Sequence, residues 1–159
     1  MDAITLKGLA IKYIGCKNLK GLTEWYEKCR GGKHKYVVFM VRRCYLTALI
    51  MEKITGCLMT DSKEKLFITD SALISCCQDI ADYYRRYHMF PGILLCDDNL
   101  IHGRNLNRLI ENLEDCLCDL LKPEDKDMLR QELAMAIEIQ VYCRASNRHL
   151  ILNSRYMKK

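Results

Sequence analysis

An alternation of short apolar runs with segments of helical periodicity constrains the fold more than any other feature of the sequence. The four runs lie at residues 35–41, 66–69, 93–96 and 137–142. They are short and largely apolar, as expected of strands covered on both faces. Strands that alternate with helices predict a parallel sheet, because parallel neighbours need a crossover connection. We therefore expect an α/β fold, a single domain with a mainly parallel sheet flanked by helices.

The segments between and after the runs carry helix signals. The strongest signal begins at Asn105, where leucines and an isoleucine share one face: Leu106, Leu109, Ile110, Leu113, Leu117, Leu120 and Leu121. The other expected helices span residues 45–54, with Gly56 as C-cap; a segment from Asp70 or Ser71, as N-cap, to about Tyr87; and a segment opened by Pro123. Residues 149–152 are a candidate fifth strand or helix.

The chain length suits one domain with a substantial core, residues 1–159. We expect a lead-in over residues 1–34 and an α/β core over residues 35–145, with the domain cut short at its C-terminus. The net charge is +5, from 25 basic and 20 acidic residues. This mild excess favours anionic partners such as phosphorylated small molecules, and the dense basic stripe of a dedicated nucleic-acid binder is absent.

Ten cysteines indicate the redox compartment. They show no CxxC pair, and several lie inside apolar runs, so we expect ten free thiols in a cytoplasmic protein. No apolar stretch has the length of a membrane span or the pattern of a signal peptide. A zinc site built from Cys116 and Cys118 with His102 or His149 is the alternative, although the spacing does not fit one.

Two adjacent carboxylates, Asp97 and Asp98, directly follow the third apolar run in ILLCDDNLIHGRN. Burial of unpaired carboxylates is costly, so they either form a solvated strand end or belong to a site. Ligands of parallel sheets bind beyond the carboxyl ends of the strands. The turn at Gly103 and the helix start that follows would cradle a phosphate, while the carboxylates could accept hydrogen bonds from vicinal hydroxyls. Together these features predict a ribose-phosphate site.

The stretch ILLCDDNLIHGRNL resembles the ribose-phosphate-binding signature of type I phosphoribosyltransferases. It is most similar to that of the bacterial uracil phosphoribosyltransferase and pyrimidine-operon attenuator variant. The resemblance implies that Asp97 and Asp98 hold the ribose hydroxyls of a ligand such as phosphoribosyl diphosphate, directly or through Mg²⁺. It also implies a 5-phosphate loop formed by Ile101, His102, Gly103, Arg104 and Asn105.

A second stretch, VFMVRRCYLTALIMEKITG, resembles the first core strand, the pyrophosphate loop and the following helix of the same family. The resemblance places Arg42 and Arg43 in the pyrophosphate loop. As the alternative, the two arginines form a solvated strand end.

The chain departs from the family pattern in both loops. His102 and Asn105 stand where the family has threonines, and Arg43 stands where it has a glycine. Ile101 occupies the position of the base-activating acid in purine-specific members, and it cannot perform acid–base chemistry. The hood that covers the substrate in active members has no recognisable counterpart, and no catalytic residue is assigned.

Two functions remain open at this point. One is a phosphoribosyltransferase-like protein, active or degenerate, that binds a ribose 5-phosphate compound with Mg²⁺. The other is a non-catalytic nucleotide-sensing or interaction module of a larger regulatory or defence protein. A receiver domain needs an acidic pair after the first strand, which KYVVFMVRR lacks. Homo-oligomer formation also remains open.

Overall fold

The structure, a computed structural model, describes residues 1–59, 65–98 and 104–142. Within these ranges the chain forms seven helices and four strands. In chain order they are α1 Ala3–Ile14, α2 Cys16–Gly31, β1 Tyr36–Phe39, α3 Arg43–Thr55, β2 Leu66–Thr69, α4 Asp70–Ser75, α5 Cys77–Tyr87, β3 Ile93–Asp97, α6 Arg104–Leu121, α7 Lys126–Ala136 and β4 Ile137–Val141.

The four strands form one sheet in the order β2-β1-β3-β4, and every pairing is parallel. The predicted α/β class with a parallel sheet is therefore confirmed. Strand β1 lies inside the sheet, where Val38 pairs with Ile68 of β2 and with Leu95 of β3. The chain runs outward from β1 to β2, then crosses back to β3 and continues to β4. The direction of winding thus reverses between β1 and β3, which is the topological switch point of such a sheet.

Helices cover both faces of the sheet. Helices α1, α2 and α3 contact one another, and α4, α5, α6 and α7 form a second connected group. Because crossovers between parallel strands are almost always right-handed, the reversal of winding at β1 implies that these two groups lie on opposite faces. All four residues of β1 are buried, and so are the first four of β3. Each fully buried side chain of this kind contributes about 1.5–3 kcal/mol through removal of apolar surface from water.

Several predicted boundaries agree with the structure. Strand β2 has the predicted bounds, and helix α3 contains residues 45–54 and ends before Gly56, which adopts the left-handed conformation at φ 69°. The apolar face of α6 packs into the core from Leu106 to Leu117. The other three strands keep their places with ends shifted by one or two residues. No helix in these described ranges is long and apolar enough to cross a membrane.

The predicted helix from Asp70 to about Tyr87 is wrong as one element. It is divided into α4 and α5 at Cys76, and the N-cap position of α4 is Thr69. Asp70 does not cap the helix, because its carboxylate instead accepts a hydrogen bond from the Val41 N–H at 3.0 Å.

The prediction that Pro123 opens a helix is also wrong. Lys122 lies at φ 46° after the end of α6, so Pro123 belongs to the connecting turn. Helix α7 begins at Lys126, and the Asp125 side chain caps it by accepting from the N–H groups of Asp127 and Met128. Within the expected lead-in, residues 1–34, lie helices α1 and α2. Residues 149–152 lie outside the described ranges.

Candidate functional site

The candidate site lies at the carboxyl edge of the sheet, between β1 and β3. Phe39 pairs with Cys96, and the Met40 N–H donates to the Cys96 carbonyl at 3.0 Å, so the two strands end side by side. The residues that follow them therefore meet at one edge. A guanidinium nitrogen of Arg43, Nη1, lies 3.9 Å from Oδ2 of Asp98 across this switch point.

Asp97 and Asp98 are coupled to each other at this edge. The Asp98 N–H donates to Oδ1 of Asp97 at 2.8 Å, and both side chains are half-buried. Burial, followed by the hydrogen bond between the two side chains and the charges of Asp98 and Asp70, raises the pKa of Asp97 to about 7. Near neutral pH the pair therefore holds a proton for part of the time, and it carries fewer than two negative charges.

The loop after β1 is short and internally bonded. The Val41 N–H donates to Oδ1 of Asp70, and Leu46 N–H donates to the Arg42 carbonyl at 2.9 Å as α3 begins. Arg42 occupies the N-cap position of α3, and Arg43 is the first residue of that helix. The Val41–Arg42 peptide bond is cis. The Arg43 side chain is 87% exposed, so this cation is accessible to a ligand.

Two residues of α3, Cys44 and Thr47, and Tyr142, the residue after β4, lie near the carboxylates. The Tyr142 hydroxyl and the Thr47 hydroxyl are 3.0 Å apart and share a hydrogen bond. Burial, with smaller contributions from the nearby charges of Cys44, Asp98 and Asp97, raises the pKa of Tyr142 to about 12. Burial, with Asp97 next, also raises the pKa of the Cys44 thiol. The tyrosine and the thiol are thus neutral near pH 7 and lie within the field of the acidic pair.

Of the predicted 5-phosphate loop, Ile101, His102 and Gly103 lie outside the described ranges. Arg104 and Asn105 are the first two residues of α6, and both are exposed. Helix α6 therefore starts only a few residues after the acidic pair. Its N-terminal end carries a partial positive charge that suits an anion.

Three residues of this edge were not predicted as site residues: Asp70, Thr47 and Tyr142. Asp70 directly follows β2 and Tyr142 directly follows β4, so their positions at strand ends were a usable signal. Thr47 gave no such signal, because its place depends on how α3 packs against the end of β4.

Other polar and aromatic candidates have structural partners elsewhere. The Tyr84 hydroxyl donates to Glu132 at 2.5 Å, and the rings of Tyr83 and Tyr87 pack 4.5 Å apart. His34 lies near the opposite edge of the sheet, with Nε2 2.8 Å from a Glu138 carboxylate oxygen. These contacts favour packing roles for the tyrosines over a stacking platform for a base.

Metal ligation by the described side chains was also considered. Cys116 and Cys118 are free thiols. Within residues 1–59, 65–98 and 104–142, no group of three or more histidine, cysteine or acidic side chains is placed to hold a metal ion by itself. The donor set at the edge, two adjacent carboxylates, is of the kind that Mg²⁺ uses together with substrate phosphates.

No protein-family model matches the chain, and neither a curated protein nor a solved structure shows significant similarity to it.

Proposed function

We propose that the protein binds a ribose 5-phosphate compound, such as phosphoribosyl diphosphate, at the carboxyl edge between β1 and β3. The observation that carries the proposal is the Asp97–Asp98 pair at the switch point. Arg43, the first residue of the helix that follows β1, has a guanidinium nitrogen 3.9 Å from a carboxylate oxygen of Asp98. Carboxylates accept hydrogen bonds from a ribose diol, and the arginine and the start of α6 provide positive charge for phosphates.

Mg²⁺ fits this arrangement when it is carried by the ligand. Asp97 and Asp98 would contact the ion or the ribose hydroxyls, while the ligand phosphates complete its shell. The ion would neutralise phosphate charge. The chain's own residues would fix the sugar at the carboxylates and orient the 5-phosphate towards the N-terminal end of α6, where Arg104 and Asn105 lie.

Binding should survive better than glycosyl transfer. Transfer requires a diphosphate to be held as it leaves the sugar, which in this chain would fall to Arg42, Arg43 and the loop amides. The Val41 N–H is already bonded to Asp70, and Arg43 already faces Asp98. A diphosphate must therefore compete with two internal carboxylates.

The same contacts favour the second candidate function, a non-catalytic nucleotide-sensing or interaction module of a larger regulatory or defence protein. In that case the occupied amide and the paired arginine would be features of a site that binds and does not turn over.

Calorimetric titration with ribose 5-phosphate and with phosphoribosyl diphosphate plus Mg²⁺ tests binding. The double variant Asp97→Asn, Asp98→Asn should lose at least about tenfold in affinity, equivalent to about 1.4 kcal/mol. Asp115→Asn with Asp119→Asn, two exposed carboxylates of α6, is the matched control and should bind normally. Unchanged affinity in the Asp97–Asp98 variant would mean that the pair does not bind the ligand and is only a solvated strand end.

A pyrophosphate-release assay separates the two candidates. With uracil, hypoxanthine, adenine or orotate as acceptor we expect little or no release. Rapid release with any of these bases would establish an active transferase and overturn the sensor reading. Failure to bind any of the phosphates would overturn both.

A further inference from the structure

Helix α1 exposes a large share of apolar surface. None of its twelve residues is buried. Five of the twelve are large apolar side chains that are exposed: Ile4, Leu9, Ile11, Tyr13 and Ile14. Exposed apolar side chains are ordinary when they are scattered, but their concentration on one element marks an interaction surface. The contacts of α1 with α2 and α3 therefore leave this surface uncovered within the described ranges.

Lysines lie on both sides of the most exposed apolar face of α1. Ile4 is 86% exposed, and Ile11 follows it two turns later on the same face. The helical periodicity places Lys7 on one side of these two isoleucines and Lys12 on the other. A lysine can lay its hydrocarbon stem along an apolar surface while its ammonium group reaches past it. The face is therefore amphipathic, with apolar groups in the middle and cations at its borders.

The charge of this part of the chain is entirely positive. Residues 3–23 contain four lysines and no acidic residue. The four are Lys7, Lys12, Lys17 and Lys20. All of them are exposed, and none forms an ion pair with another residue of the described ranges. Asp2, the residue before α1, is engaged as its N-cap and accepts from the Thr5 N–H at 2.7 Å. An anionic partner complements this charge, whereas a second copy of α1 would bring lysines against lysines.

A cleft of about 640 Å³ opens beside this face, between α1, α2 and the end of α3. The residues that line it include Lys7, Ile11, Leu19, Lys20, Glu24 and Ile54. Three of these side chains are apolar and two are basic, and Glu24 offsets one of the two positive charges. Apolar groups beside an excess of positive charge suit an amphiphile with an anionic head. The cleft therefore continues the chemistry of the α1 face into the body of the protein.

The form of the surface favours a bilayer over a groove in another protein. Helix α1 is about 18 Å long and forms a ridge without buried residues. A bilayer interface accepts such a helix in its plane, with apolar side chains at the acyl boundary and lysines at the headgroups. Tyr13, which is 75% exposed, belongs to a residue type enriched at membrane interfaces.

We infer that the exposed face of α1 and the cleft beside it dock on the surface of a bilayer that contains anionic lipids. Ile4 and Ile11 enter the interface. Lys7, Lys12 and Lys20 contact the lipid phosphates, and part of a lipid occupies the cleft. The helix lies on the bilayer and does not cross it. This inference is independent of the proposed function, because none of these residues belongs to the carboxyl edge of the sheet.

Sedimentation with lipid vesicles tests the inference. The protein should sediment with vesicles of phosphatidylcholine and phosphatidylserine in equal parts, and it should stay in solution with vesicles of phosphatidylcholine alone. Binding should weaken as salt is added, because salt screens the attraction between lysines and headgroups.

A pair of lysine substitutions tests the role of charge. Each basic residue near an anionic bilayer strengthens binding about fivefold, so Lys7→Ala with Lys12→Ala should weaken it about 10- to 30-fold. Arg86→Ala with Lys126→Ala removes the same charge from exposed positions of α5 and α7 and is the matched control. The control variant should bind the phosphatidylserine vesicles as the parent does.

A second pair of substitutions tests the apolar contact. Ile4→Ser with Ile11→Ser should weaken vesicle binding at least about fivefold, because both side chains lose apolar surface that the interface would cover. Met128→Ser with Met135→Ser, at exposed positions of α7, is the control and should bind normally. All four positions are exposed, and circular dichroism of each variant checks that it folds.

Several results would overturn the inference. One is equal sedimentation with both kinds of vesicle, and another is sedimentation with neither. Equal losses in a variant and its control would mean that the α1 face has no special role. A dimer in analytical ultracentrifugation that Ile4→Ser with Ile11→Ser converts to a monomer would assign the face to a second copy of the chain. Failure to bind ribose 5-phosphate in calorimetry would overturn the proposed function and leave the vesicle results standing.

Discussion

At the scale of single residues, ionisation of Asp97 in the acidic pair destabilises the folded protein. The pKa of Asp97 is raised because this side chain is half-buried beside Asp98. In the unfolded chain the same group ionises near its usual pKa of 3.8. Between these values the folded state binds more protons than the unfolded state, so stability falls as the pH rises from about 4 to about 7.

Asp97→Asn should therefore stabilise the protein at pH 8. The rise in the pKa of Asp97 to about 7 corresponds to about 4 kcal/mol without screening, and partial exposure lowers this to about 2 kcal/mol. Urea denaturation at pH 5 and pH 8 measures the gain, which should be smaller at pH 5. The exposed Asp119→Asn serves as control. If Asp97→Asn is less stable than the parent at pH 8, ionised Asp97 does not destabilise the folded protein and the prediction is wrong.

At the scale of elements, side chains from elsewhere in the sequence complete several helix ends. The Lys65 ammonium, on a residue that is 93% buried, donates to the carbonyls of Cys29, Arg30 and Gly32 at 3.1, 2.8 and 2.5 Å. These carbonyls lie at the end of α2, where the helix cannot satisfy them itself. Lys65, the residue before β2, thus connects the sheet to the C-terminal end of α2 through hydrogen bonds.

Lys65→Met should remove this tie and lower the free energy of unfolding by about 2–3 kcal/mol, because it leaves three carbonyl groups without their charged donor. Denaturant titration measures the loss. As the control, Lys20→Met, at an exposed position of α2, should change the free energy of unfolding by less than about 0.5 kcal/mol. Equal effects of the two substitutions would mean that the Lys65 hydrogen bonds contribute nothing.

Asp125→Ala should destabilise α7 by about 1 kcal/mol, because Asp125 accepts from two backbone N–H groups of the first turn. Asp125→Ser should restore part of the loss, since serine is also a good N-cap. Thermal unfolding compares the three proteins. An alanine variant as stable as the parent would contradict the capping role.

At the scale of the whole molecule, the cysteines are part of the packing. Cys29, Cys44, Cys77, Cys96 and Cys118 are buried free thiols, whereas Cys16 is exposed. Burial raises the pKa of Cys96 well above its usual value, with the neighbouring Cys29 adding to the effect. Thiolates are the reactive form, so reactivity should follow exposure.

Thiol titration of the native protein should therefore show Cys16 reacting fastest among the nine described cysteines and the five buried thiols reacting only on unfolding. In denaturant without reductant, ten thiols should be counted, one for each cysteine of the sequence. A count below eight would contradict a reduced state for the protein. Cys16→Ser should remove the fast phase alone.

The sequence could predict the parallel sheet because its strands are continuous apolar runs. It could also predict that Arg42, Asp97 and Asp98 lie at one edge of the sheet, because all three follow such runs. It could not predict the break at Cys76, where the two short helices make different tertiary contacts. Pro123 misled because Lys122 takes a left-handed conformation that depends on the end of α6.

The pKa of Asp97 links occupancy of the site to the acidity of the surroundings. A ribose diol that donates to the Asp97 carboxylate is bound best when that group is ionised, so binding favours loss of the proton from Asp97. Near neutral pH, binding would then be accompanied by proton release. The measured heat of binding would then vary with the ionisation enthalpy of the buffer, and affinity would rise as a compartment becomes more alkaline. Occupancy of this strand end would thus depend on the proton concentration as well as on the ligand concentration.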